Sequence, residues 1–148
     1  MRAIIQRVSE AKVEVDNEIT GEIEKGFLVL IGVEEADTEK DCDYLVRKIV
    51  NMRIFEDENK KMNLSLKEVN GDILSISQFT LHANTKKGNR PSFVDAAKPV
   101  FANELYGMFN EKVRNEGVKV ETGVFGAHMN VNLTNDGPVT ITLDSKNK

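Results

Sequence analysis

Residues 27–33, Phe-Leu-Val-Leu-Ile-Gly-Val, carry no polar side chain on either face. Successive side chains on a strand point to opposite sides, so a strand of this composition must be covered twice. The run therefore predicts a central, fully buried strand, opened by Gly26. Everything else in the chain has to supply its neighbours in the sheet and the layers above and below it.

The neighbours are easy to find. Ala3–Val8 is a short apolar run with a polar end at Gln6 and Arg7, and Lys12-Val13-Glu14-Val15-Asp16 alternates as a half-buried strand should. Asp16-Asn17 offers a turn, and Ile19, Gly21 and Ile23 continue the alternation. Arg53-Ile54-Phe55 reads as a short strand and Asp72–Leu81 as a strong one. Further strands are expected at Val118–Glu121, Met129–Leu133 and Val139–Leu143. Between the last two lies Asn135-Asp136-Gly137-Pro138-Val139-Thr140, a turn by local rules.

Two segments switch to a helical period and can form the covering layer. Over residues 38–52, Cys42, Leu45, Val46, Ile49 and Val50 share one face, and Thr38 with Asp41 resembles a capping box. Over Pro99–Asn115, Phe101, Leu105, Met108, Phe109 and Val113 share a face, with Pro99 suited to the first turn and Gly117 placed to stop the helix. With 148 residues, no repeat and no linker, the expectation is one α+β domain over 1–148. It is a small antiparallel, barrel-like sheet with two helices packed outside.

Composition narrows the function classes. No apolar stretch approaches the ~18 residues of a membrane span, and the start has no signal-peptide pattern, so a cytoplasmic location is the default expectation. The single cysteine, Cys42, excludes an intrachain disulfide. It fits the helix face as a buried small hydrophobe. With only His82 and His128 beside it, no usual structural zinc site can be built, and no metal is expected. The net charge of −4 lacks the basic excess of a typical nucleic-acid binder. A polyanion would need a local patch, for which Lys86, Lys87 and Arg90 or the Lys60-Lys61 pair are the candidates.

The best candidate for chemistry is "LSISQFTLH", where Ser, Gln, Thr and His gather at the end of a core strand and can line a pocket. Thr80 and His82 share a face of that strand, which raises a hydroxyl–imidazole pair. Residues i and i+2 on a strand stand ~6.5 Å apart at a rise of ~3.3 Å per residue, beyond the ~3 Å reach of direct proton transfer. No other nucleophile–base arrangement is visible. An enzyme built on these residues would rely on positioned amides and on the reactivity of its substrate. In "TGVFGAHM", two glycines bracket Phe125, which is either a core plug or a platform for a base.

Five segments in order carry a family resemblance: "MRAIIQRVSEAKV", "SQFTL" at 77–81, "KGNRPSF" at 87–93, "TGVFGAHM" at 122–129 and "NDGPVT" at 135–140. Together they resemble the D-aminoacyl-tRNA deacylases, once called D-tyrosyl-tRNA deacylases, over nearly the whole chain. The resemblance implies a homodimer with the active site at its interface. It implies hydrolysis of the ester joining a D-amino acid to the 3′ end of tRNA, with removal of glycine from some tRNAs. It implies tRNA as partner, with no cofactor, metal, membrane or DNA. Ser77, Gln78, Phe79 and Thr80 fall on the motif that holds the ester, with Gln78 and the Phe79 N–H as oxyanion donors. Thr80 matches a suspected nucleophile, although the favoured family mechanism uses the terminal ribose 2′-hydroxyl instead. Phe125 and Met129 match positions around the terminal adenine. Gly137-Pro138 matches a cis peptide inserted from the other subunit, oriented by Arg7, that rejects L-substrates by clash. The rivals are a non-catalytic RNA-binding β-barrel, disfavoured by nine Phe plus Tyr and no Trp, and an L-alanine-clearing relative whose motif differs at Phe79.

Overall fold

The computed structural model describes residues 1–148. Its longest hairpin starts with β1 (Arg2–Val15). The chain reverses at Asp16-Asn17, whose φ values of 51° and 65° match the two positive-φ residues of a tight hairpin turn. It returns along one edge of β1 as β2 (Glu18–Ile23) and then β3 (Gly26–Gly32). The two expected strands at 3–8 and 12–16 are thus one. Next come α1 (Glu39–Asn51), a small hairpin of β4 (Phe55–Glu56) and β5 (Met62–Leu64), and β6 (Asp72–Ser77). Then follow α2 (Pro99–Asn115), β7 (Val120–Thr122) and β8 (Asn130–Asp144).

The fold is α+β as expected, but the sheet is mixed rather than antiparallel. β6 pairs parallel to β3, and β7 pairs parallel to β6. Parallel neighbours need a long crossover, and here each crossover contains a helix: α1 between β3 and β6, α2 between β6 and β7. At the far side the sheet nearly closes. A Cβ on Gly21 of β2 would stand 2.6 Å from the carbonyl oxygen of Thr122 in β7, an approach that only glycine permits.

β3 sits at the centre, as its composition required. Phe27, Val29 and Ile31 face the larger core, beneath the helices with Leu45, Ile49, Leu105 and Phe109. Leu28 faces a second core inside the curled sheet, with Val8, Val13, Ile23, Leu74 and Ile76. Cys42 is fully buried on α1, and burial pushes its thiol up to about 12, so it stays protonated. α1 carries the expected capping box: the Asp41 carboxylate accepts from Thr38 N at 2.8 Å, and Thr38 Oγ1 accepts from Lys40 N.

Two expectations at the sheet's ends are overturned. "NDGPVT" is not a turn between two strands, because β8 runs unbroken through it along the second edge of β1. Gln6 pairs with Thr140 and Val8 with Asn135, so residues 136–139 bulge out opposite the single residue Arg7. The bulge is closed from within: Asn135 Oδ1 accepts from Val139 N at 2.7 Å. The strand expected at Asp72–Leu81 stops at Ser77, and Phe79–His82 form one turn of 3-10 helix. The cause is the end of its partner. Gln78 N still donates to Ile31 O at 2.7 Å, but β3 finishes at Gly32 and offers no further ladder. Leu81 N and Ala83 N then bond to Gln78 O and Thr80 O.

Candidate active site

The strand end and the turn that follows it form the rim of a cleft of about 530 Å³. β3 and β6 supply its base through Ile31 and Ile76. α2 supplies one wall through Ala102 and Tyr106, and the bend before β8 supplies another through Phe125–Met129. Ser77, Gln78, Phe79 and Phe93 complete the rim. The lining is mainly apolar and contains no lysine or arginine. A cleft of this size and character suits a flat organic ligand held by a few polar groups.

The turn is held in place by small and charged neighbours. A Cβ on Gly32 would meet Leu81 Cβ, Gln78 O and the His82 ring at 2.9–3.1 Å, so the turn folds over β3 only because Gly32 has no side chain. Arg2 Nη1 donates to Leu81 O at 2.8 Å, fixing the far end. Gln78 Nε2 donates to Thr80 Oγ1 at 2.6 Å, which orients the amide and leaves its second N–H free. Phe79 is the first residue of the turn, so the turn offers its N–H no partner. Gln78 and Phe79 both line the cleft at this point. Thr80 is exposed, His82 is buried, and no hydrogen bond joins them.

Sequence reasoning missed Tyr106. The buried face of α2 is Ala102, Leu105, Tyr106, Phe109, Asn110 and Val113, while the expected Phe101 and Met108 are only half-buried. Tyr106 OH donates to Ser75 O at 2.7 Å, bracing β6 two residues before Ser77. Burial raises its pKa above the usual phenol value, so it remains a neutral donor. Its ring leans on Phe125 with centroids 6.1 Å apart. The spacing 102, 106, 109, 113 was the available signal, masked by the more hydrophobic Phe101 and Met108. Phe93 was also missed; it packs edge-on to Phe79 at 5.2 Å.

Phe125 and Met129 line the cleft together with Ser77, Gln78 and Phe79. Gly137, Pro138 and Arg7 do not; within one chain they lie elsewhere, in the exposed bulge of β8 and beneath it. The Gly137-Pro138 bond is cis. Arg7 is buried under the bulge, where Nε donates to Asp136 O at 2.9 Å and Nη1 to Ile54 O at 2.6 Å. A Cβ on Gly137 would meet Val139 Cγ2 at 2.8 Å and Arg7 Nη2 at 3.1 Å, at a φ of +139°. The guanidinium therefore fixes the backbone immediately before the Gly-Pro step.

Comparison with known proteins bears directly on this arrangement. The family model described as D-Tyr-tRNA(Tyr) deacylase matches residues 4–144. A D-aminoacyl-tRNA deacylase of Flavobacterium johnsoniae is 59% identical over 149 residues, covering 100% of this chain and 99% of that protein. One from Bacillus pumilus is 58% identical over 146 residues, covering 99% of each. Among solved structures, a c-Myc DNA unwinding element binding protein superposes with a TM-score of 0.91 at 41% identity, covering 97% of this chain and 98% of its own. A probable eukaryotic D-amino acid tRNA deacylase superposes with a TM-score of 0.82 at 21% identity, covering 96% and 97%, which speaks to the fold alone.

Proposed function

The chain belongs to the D-Tyr-tRNA(Tyr) deacylase family, and from that premise we propose how its residues carry out the hydrolysis of D-aminoacyl-tRNA. The products are free D-amino acid and tRNA, and the reaction keeps D-residues out of translation. Glycyl esters, which lack a side chain to reject, fall within the same reach. What supports the mechanism is that Gln78 and Phe79 line an apolar cleft while the Thr80 hydroxyl is bonded to the Gln78 amide and to no imidazole or carboxylate; Gln78 Nε2 and the Phe79 N–H are assigned as the oxyanion donors.

The terminal adenosine lies in the cleft between Phe125 and Met129, and the ester carbonyl points at the two amides. Attack on the carbonyl carbon builds negative charge on its oxygen, which the amides stabilise by ~2.7–4 kcal/mol per well-placed donor. The ribose 2′-hydroxyl of the substrate assists the attacking water, so Thr80 need not titrate. Its hydroxyl instead holds the Gln78 amide in place, and Ser77 sets where that segment leaves β6.

Stereoselection is assigned to Gly137-Pro138. One chain's cleft lacks this dipeptide, and β8 leaves its outer edge unpaired; both points favour a homodimer in which each bulge enters the partner's cleft. L- and D-esters exchange a hydrogen and a side chain at one carbon. A rigid backbone placed where the L side chain would go rejects it without having to bind each D side chain. The tRNA partner follows from the family, and the cytoplasm is where that substrate is met.

The test uses D-tyrosyl-tRNA carrying the amino acid on the 3′-hydroxyl, with and without the neighbouring 2′-hydroxyl. Release of D-tyrosine from the first and loss of at least ~100-fold in rate on the second is expected, the scale of a lost proton-transfer group. Equal rates on both would remove the 2′-hydroxyl from the mechanism.

A further inference from the structure

The cleft lining contains no lysine or arginine, yet a tRNA brings a polyanion to a chain of net charge −4. Something outside the cleft must hold the phosphates. The Lys60-Lys61 pair is poorly placed for this. It lies at the β4–β5 turn among Glu56, Asp57 and Glu58, with the Lys61 N–H bonded to the Asp57 carboxylate. The hairpin at 84–92 differs on each count. From Ala83 to Val94 it contains Lys86, Lys87 and Arg90 and no acidic residue. None of these three side chains makes an ion pair or a side-chain hydrogen bond.

The hairpin is also fixed to the rim at both feet. Asn84 and Ser92 exchange backbone hydrogen bonds at 2.8 and 2.9 Å. Its entering segment follows directly from the Phe79–His82 turn, and its leaving segment runs into Phe93, which packs on Phe79. Asn84 Oδ1 caps the Lys86 N–H at 3.0 Å, and Gly88 at φ +67° turns the tip. The five residues from Gly88 to Phe93, at ~3.3 Å each, keep the tip within about 17 Å of the rim. Residues 85–92 are all exposed.

We propose that Lys86, Lys87 and Arg90 form a phosphate-gripping hairpin for the single-stranded 3′ end of the tRNA, next to the nucleoside held in the cleft. This rests on the hydrolase reading above and names the part of the chain that meets the polynucleotide. Binding through phosphates releases counterions, giving a log–log salt slope of roughly −0.7 per neutralised phosphate on a single strand. Three cations therefore account for a slope of about −2.

The experiment compares the wild type with K86Q/K87Q/R90Q. Two readouts are followed from low to moderate salt: affinity for uncharged tRNA, and kcat/KM on D-aminoacyl-tRNA against a D-aminoacyl-adenosine that has no phosphate. The proposal expects the variant to lose at least about tenfold in tRNA affinity at ~50 mM salt and to flatten the slope by about 2. It expects the kcat/KM loss to be confined to the tRNA substrate. An unchanged affinity and slope, or equal losses on both esters, overturns it. Failure of the hydrolase reading shows separately, as no turnover of either ester by the wild type, and the affinity slopes then still decide the hairpin.

Discussion

Thr80 is exposed next to the cleft-lining Gln78 and Phe79, and the one polar partner of its hydroxyl is the Gln78 amide. A general base or nucleophile is worth at least ~100-fold. Thr80→Ala should therefore lower kcat/KM by less than about tenfold, through a looser amide, in a steady-state assay on D-aminoacyl-tRNA. A loss beyond ~100-fold with an intact fold would return the hydroxyl to the chemistry. Gly137 makes the opposite case, since its role is to have no side chain. A Cβ there meets Val139 Cγ2 at 2.8 Å and Arg7 Nη2 at 3.1 Å, in a backbone region costly for L-residues. Gly137→Ala should lower stability by about 1–3 kcal/mol in urea unfolding and reduce deacylation further than that loss explains. Unchanged unfolding and activity would contradict its role.

At the scale of elements, α1 is held at its start by Asp41. Burial raises the pKa of this carboxyl, but hydrogen bonds from Ser145, Thr38 and Lys146 outweigh that and hold it well below the usual carboxylate range. A depressed folded-state pKa adds stability that is complete above the unfolded value of ~3.9 and fades as pH falls toward the folded one. Asp41→Asn should be less stable than wild type at pH 7, and the gap should narrow below about pH 4. A gap constant with pH, in parallel denaturant titrations, would contradict this. α1 was legible in full because its signals are local: period, Thr38 and Asp41. α2 and its bounds were legible for the same reason. The 3-10 turn at 79–82 was not, because it depends on where β3 ends and on Gly32 being bare, facts that belong to another part of the chain. Nor was the β8 bulge. Asn, Asp, Gly and Pro signal a reversal locally, and only pairing with β1 on both sides keeps the strand going. Parallel pairing was missed for a similar reason, since single-strand periodicity does not encode direction.

At the scale of the whole molecule, the residues assigned to the reaction fall into two groups that one chain does not bring together. Ser77, Gln78, Phe79, Phe125 and Met129 line the cleft, with Thr80 bonded to Gln78 beside it, while Gly137 and Pro138 lie in the bulge with Arg7 beneath them. The family resemblance, rather than spacing, linked the two groups, and a second copy is what would join them. Light scattering on the purified protein should give twice the chain mass of 16.6 kDa. Full activity from a monomer would contradict the shared site. The central claim, however, is chiral. The most direct measurement is single-turnover release of amino acid from matched D- and L-tyrosyl-tRNA by this protein. Rapid release of the D-amino acid with the L-ester left intact is the predicted result; equal rates, or no cleavage of the D-ester, would contradict the account.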